Sequence, residues 1–378
     1  MHLFDKRKLR NVEFILLIIV IVISLFGLLA IIMATADPAT GEETTLDETL
    51  SRLNLAIVIK QAGWLVLGLF LMTMVSLMNY HVYQKIWYAV LGVPVALILI
   101  VSIFGSTKGG TTGWFSFGVY TIQPTEMGKL AMILLLAQTL TLKEELYNFK
   151  DLLPTFGVVA AFFLVLLYQM DIGTTLVYVF VFLCMLFIGG AKLKHILPLI
   201  ASGVFIAIIV WFMMGTKQQS RIIDFFSGNS ASQLTYSEIA IGSGQLVGKG
   251  ILGAGAISQL SYIPAVQTDF IFAAIGESFG FLGCAFLIAL YIALIVRMWF
   301  LMRKIKDKLG ALIIAGVMCM FMFHIFENIG MTIGVMPITG IPLPFVSYGG
   351  SSFISNMIGI GLVESICLNR PLPLFGEG

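Results

Sequence analysis

Ionisable side chains are costly inside apolar helices and are kept there when they are paired or do chemistry. In this 378-residue chain, Glu126, Lys129, Asp171, Asp269, Glu277, Glu327 and Glu364 fall at or within long apolar runs. A carboxylate at such a boundary can take a proton from a hydroxyl, and nearby lysine or arginine can hold an anion. Asp269 follows Pro264, Gln267 and Thr268 and opens the eighth apolar run. It is either a general base or the cap of the helix it precedes.

Glu126 and Lys129 stand at i, i+3 and share one helix face, as a self-neutralising pair or as part of a site. Asp171 sits where one run ends and the next begins, where a carboxylate caps the following helix. Trp114, shortly before Gln123-Pro124, is either an interfacial anchor or a wall of the same site. Gly242-Ser243-Gly244 and Gly248-Lys249-Gly250 are one residue out of P-loop spacing, and Gly250 stands where that loop needs Ser or Thr. A nucleotide loop is therefore rejected, leaving backbone amides and Lys249 near an anionic headgroup. Glu277 and Glu327 are expected to be structural, satisfied by a neighbouring helix. The segment from Pro337 to Ser352 has prolines at 337, 342 and 344 and resists regular helix. At membrane depth such backbone must line a cavity or be buried in protein.

The elements that must position these residues follow from composition. The chain is 59% hydrophobic and 11% charged, an all-α membrane composition, given ~20 apolar residues per crossing. Apolar runs near 14–34, 56–78, 82–104, 124–142, 152–169, 172–190, 195–214, 270–301, 310–335 and 351–368 predict about ten transmembrane helices in a single membrane domain over 1–378. The first follows the basic stretch Lys6–Arg10 without a small-residue cleavage site and is read as a retained helix. Positive charge collects in cytoplasmic loops. Lys85, Lys143, Lys150, Lys192, Lys194, Arg297, Arg303, Lys304, Lys306, Lys308 and Arg370 join the N-terminal cluster on one side, while the first loop across the membrane is acidic from Asp37 to Glu48. Both termini are thus expected in the cytoplasm, with one long loop, about 215–268, outside.

Every carboxylate above except Glu364 then falls in the outer half, around one polar cavity. A net charge of +2 without a basic–aromatic patch excludes nucleic acid. Cys184, Cys284, Cys319 and Cys367 lie in apolar stretches without CxxC spacing and read as small hydrophobes, not a disulfide or zinc framework.

These segments together resemble the SEDS family, in a form closer to RodA than to FtsW. The resemblance runs from Trp114 to Ser352. It rests on Ile122 to Glu126 with Lys129, Gln169 to Thr174, Ala240 to Gly250, Gln267 to Glu277, and Pro337 to Ser352. Thr112 and Gly113 replace an Arg pair frequent before the Trp, Met170 stands for a usual Pro, and Ser278 for a second Glu. The resemblance implies a peptidoglycan glycosyltransferase of the bacterial cytoplasmic membrane, serving cell-wall synthesis and cell shape. It would polymerise lipid II, the undecaprenyl-pyrophosphate-linked disaccharide-pentapeptide, with Asp269 as catalytic base. Trp114, Glu126, Lys129, Asp171, Arg221, Lys249, Gln267, Thr268 and Ser347 would bind or support substrate, with Arg221, Lys249 and Lys129 on the diphosphate. It admits magnesium or manganese as a divalent cofactor with no legible ligand set. It implies a class B penicillin-binding protein as transpeptidase partner. Gly359 and Gly361 in the last run are small enough for close helix approach, either to that partner's helix or to this chain's own helices. A lipid II flippase or other transporter, and a purely structural scaffold, are the competing readings.

Overall fold

The computed structural model describes residues 11–36, 53–108, 111–118, 120–143, 148–227, 232–250 and 263–370. The basic stretch Lys6–Arg10, the acidic stretch from Asp37 to Glu48, and residues 228–231 and 251–262 of the long loop lie outside them. Each apolar run is helical: α1 Phe14–Thr35, α2 Leu55–Leu77, α3 Val82–Lys85 with α4 Trp87–Phe104, α5 Pro124–Leu140, α6 Leu153–Gln169, α7 Ile172–Ile188, α8 Leu193–Met213, α11 Ile271–Lys304, α12 Lys308–Thr332 and α13 Gly350–Leu368. Helix is the form in which an apolar segment satisfies its own backbone in lipid. Eight of these spans are long and apolar enough to cross a membrane, α7 is apolar but shorter, and α5 has 17 residues and carries Glu126 and Lys129. The chain is a multi-pass membrane protein.

Burial separates centre from rim. The spans of α12 and α13 are 78% and 72% buried, those of α4 and α8 only 11%, so the former are the axis and the latter face lipid. α13 packs chiefly on α2, and α12 on α11 and α7.

Two elements depart from the sequence reading. Ser106–Lys108 (β1), Thr111–Phe117 (β2) and Tyr120–Ile122 (β3) form a small antiparallel sheet, with Ser106 opposite Trp114 and Phe115 opposite Ile122. The described part of the long loop holds two helices, Thr216–Ser227 (α9) and Ser232–Ser243 (α10). Of the two readings of Gly359 and Gly361, the structure shows packing within this chain. A Cβ on Gly359 would meet Val317 at 3.2 Å, and one on Gly361 the Met72 carbonyl at 2.7 Å. Both glycines let α13 pack against this chain's own α12 and α2.

The bundle end away from the predicted site is closed by charge. Arg297 donates to Glu13, Arg370 lies 3.4 Å from the same carboxylate, and Glu364 accepts the Glu13 N–H at 3.3 Å. Arg297 and Arg370, both assigned to the cytoplasmic side from sequence, thus meet at one end, and Glu364 is structural there.

Candidate functional site

At the opposite end, the end of β1–β3, the starts of α5, α7, α11 and α13 and the close of α12 surround a cavity of about 690 Å³. Asp269, Thr268, Trp114, Glu126, Lys129, Asp171 and Arg221 line it. Gln267, Ser347 and Lys249 do not.

Asp269 lies in the 263–270 turn and is not a side-chain cap, because the N-cap of α11 is Phe270 and makes no capping bond. The backbone holds it instead. Asn328 of α12 donates both N–H groups of its amide, to the Asp269 carbonyl at 2.9 Å and the Ile341 carbonyl at 2.7 Å. Opposite the carboxylate, Gly340 has φ +76°, and a Cβ there would stand 3.4 Å from Asp269 Oδ2. Gln267 and Ser347 act one layer back. The Gln267 carbonyl accepts the Tyr348 N–H at 2.8 Å, while the Ser347 hydroxyl donates to the Thr268 carbonyl at 2.5 Å and accepts the Leu343 N–H at 2.8 Å. The proline-rich loop is thereby fastened to the Asp269 turn.

Burial raises the Asp269 carboxyl above its ordinary value, against the Thr268 hydroxyl and the Arg221 guanidinium, which lower it. Desolvation dominates, and the ionised group is correspondingly more basic. Arg221 of α9 is the cation that lowers the Asp269 carboxyl, and Lys129 lowers that of Asp171. Asp171 caps α7, accepting the Thr174 N–H at 3.0 Å and hydroxyl at 2.8 Å, while burial raises its carboxyl.

Glu126 and Lys129 are buried, with Nζ 2.8 Å from the carboxylate. His324 of α12, which the sequence reading passed over, completes the group: its Nε2 lies 2.9 Å from Lys129 Nζ, and its Nδ1 2.7 Å from the Met320 carbonyl. A signal existed, since a histidine in an apolar span is itself a costly polar group three residues before Glu327. Trp64, Tyr120 and Tyr348 are further cavity walls that sequence reasoning missed. Trp114 reaches the cavity from β2. Beside it, Gly113 leaves room for Gln169, whose amide donates to the Thr112 carbonyl at 2.9 Å.

The headgroup reading of the glycine-rich loop is corrected. α11 breaks at Gly280 (φ 64°, ψ −161°), and the loop docks into the break. Lys249 N–H donates to the Glu277 carbonyl at 2.9 Å and Gly250 N–H to that of Ser278 at 3.1 Å; Phe281 N–H returns to the Gln245 carbonyl at 2.8 Å. The amides that would have cradled an anion are spent on a broken helix, and Lys249 Nζ pairs with buried Glu277 at 2.8 Å. Glu327 accepts from the Thr339 hydroxyl at 2.9 Å, a partner in the proline-rich loop and not in the neighbouring helix expected from sequence. Among the described residues no group of three or more His, Cys, Asp or Glu side chains gathers as a metal site. The cavity's other acids are committed, Glu126 to Lys129 and Asp171 to its cap, so these residues do not fit a resident divalent ion.

A family model described as cell cycle protein, covering FtsW, RodA and SpoVE, matches residues 13–371. The chain belongs to this family. It is 32% identical to peptidoglycan glycosyltransferase MrdB of Escherichia coli K12 over 83% of this chain and 86% of that protein. It is 30% identical to peptidoglycan glycosyltransferase RodA of Treponema pallidum, over 82% and 89%. Among solved structures, a chain from a peptidoglycan synthase complex that coordinates polymerization and crosslinking matches with TM-score 0.76 and 25% identity, over 95% of this chain and 98% of that one. RodA of Thermus thermophilus matches with TM-score 0.70 and 25% identity, over 96% and 99%. Family and fold agree with the resemblance carried by the motifs.

Proposed function

We propose that this RodA-type family member is a peptidoglycan glycosyltransferase that polymerises lipid II at the outer face of the bacterial cytoplasmic membrane. The observation that carries the reading is Asp269, a carboxylate made more basic by burial, in a cavity that Arg221 and Lys129 also line. Asp269 takes the proton of the acceptor 4-hydroxyl as its oxygen bonds to the donor's anomeric carbon. The anomeric C–O bond to the diphosphate breaks in the same inverting displacement, and undecaprenyl diphosphate leaves. Arg221 and Lys129 meet the charge that grows on that leaving group. The leaving group is already activated, as an ATP-free compartment requires.

In this reading both termini are cytoplasmic and a class B penicillin-binding protein supplies cross-linking. The test is purified protein with labelled lipid II, alone and with its cognate transpeptidase. Glycan strands from the native chain, and none from Asp269→Ala of equal stability, are expected. Strands from Asp269→Ala would remove Asp269 as the base, and none from the native chain in either setting would remove the activity.

A further inference from the structure

The cation facing the cavity from α5 is held by a histidine whose role the reaction above does not use. Lys129 has three N–H groups. They face the Glu126 carboxylate, with Nζ 2.8 Å from both Oε1 and Oε2, and His324 Nε2 at 2.9 Å. An ammonium can only donate, so Nε2 must accept, and the imidazole is neutral with its proton on Nδ1. The Met320 carbonyl, 2.7 Å from Nδ1, fixes that tautomer and the ring's orientation. His324 is 2% exposed and lines the same cavity as Lys129, so the two anchors hold the ammonium in place at the cavity wall.

We propose that His324 is a positioning residue that aims Lys129 at the diphosphate of the lipid substrate. Glu126 alone would let the ammonium swing about one carboxylate, which also cancels its charge. The neutral acceptor on α12 supplies a second fixed point without adding charge, so the cation keeps its pull on an anion. The inference rests on the glycosyltransferase reading for the identity of the anion, but the hydrogen-bond geometry stands apart from it.

The test uses two amide variants of the full-length protein. His324→Gln places an amide oxygen near the Nε2 position and can still accept from Lys129, whereas His324→Asn ends near the Nδ1 position and cannot. Polymerisation of labelled lipid II should fall about tenfold in kcat for His324→Asn, the scale of one lost hydrogen bond to a charged group, and stay within about threefold for His324→Gln. Thermal stabilisation by farnesyl diphosphate is read in parallel and needs no turnover. Its apparent Kd should weaken about tenfold in His324→Asn, and no further when that change is added to Lys129→Ala, because the histidine acts through the lysine. Equal behaviour of the Asn and Gln variants in both assays, or an additive loss in the double variant, would overturn the proposal. Failure of the native chain to polymerise lipid II would instead remove the glycosyltransferase reading, while the farnesyl diphosphate series would still decide the role of His324.

Discussion

Asp269 combines three properties seldom found together in one carboxylate: it is desolvated, faces a cavity, and is held by its own backbone rather than by its side chain. Asp269→Asn should therefore abolish polymerisation while leaving the thermal unfolding midpoint near that of the native protein, since Asn328 grips the main chain at either residue; strand synthesis on gels and a melt in detergent check both. The pH dependence has a definite sign. In the proposed reaction Asp269 works ionised, so activity rises with pH through its pKa, and burial moves that acid limb upward from the carboxyl's ordinary value. Arg221 lowers the same pKa. Arg221→Gln should thus move the limb to higher pH as well as reduce the plateau, measured as kcat/KM against pH; a limb that stays put or moves down would show that Arg221 does not act on Asp269. At this scale the sequence was informative where a charge stood out against apolar neighbours, which is how Asp269, Glu126 and Lys129 were found. His324 escaped because an uncharged imidazole in Phe323-His324-Ile325-Phe326 barely disturbs a hydropathy profile, and its meaning lies in a contact 195 residues away.

The glycine-rich segment shows what motif spacing cannot say. Gly248 and Gly280 both have positive φ, and a Cβ on Gly280 would stand 2.4 Å from the Gly248 nitrogen. Glycine is needed there so that two backbones can meet, not so that a phosphate can. Gly280→Ala combines a disfavoured backbone with that overlap and should cost roughly 1–3 kcal/mol or more. A lower melting temperature with the lipid II KM little changed is the expected outcome; native stability with a raised KM would restore a substrate role to the loop. The same limit explains the sheet over residues 106–122. Its strands are three to seven residues long, bracketed by apolar spans, and a helix-length window averages them away. Long helices were legible because lipid demands the same composition along a whole crossing.

Over the whole molecule, the order of the apolar helices followed from hydropathy, with eight of the about ten expected spans long and apolar enough to cross a membrane, and the side on which each loop lies was inferred from Lys and Arg. Arg297 and Arg370, distant in sequence, meet on one Glu13 carboxylate. With both assigned to the cytoplasm, reporters fused to either end should be active only inside the cell, and an impermeant thiol reagent should label a cysteine placed at Phe117 from outside; labelling from the inside would invert the whole arrangement. The Asn328 bridge carries a consequence for biosynthesis. The turn bearing Asp269 leaves the ribosome well before Ile341, yet one amide fastens both. Until the loop from Pro337 to Ser352 is made, the Asp269 carboxylate has no Gly340 opposite it and the cavity lacks that wall, so the proposed reaction has to wait for a segment some seventy residues downstream of its base.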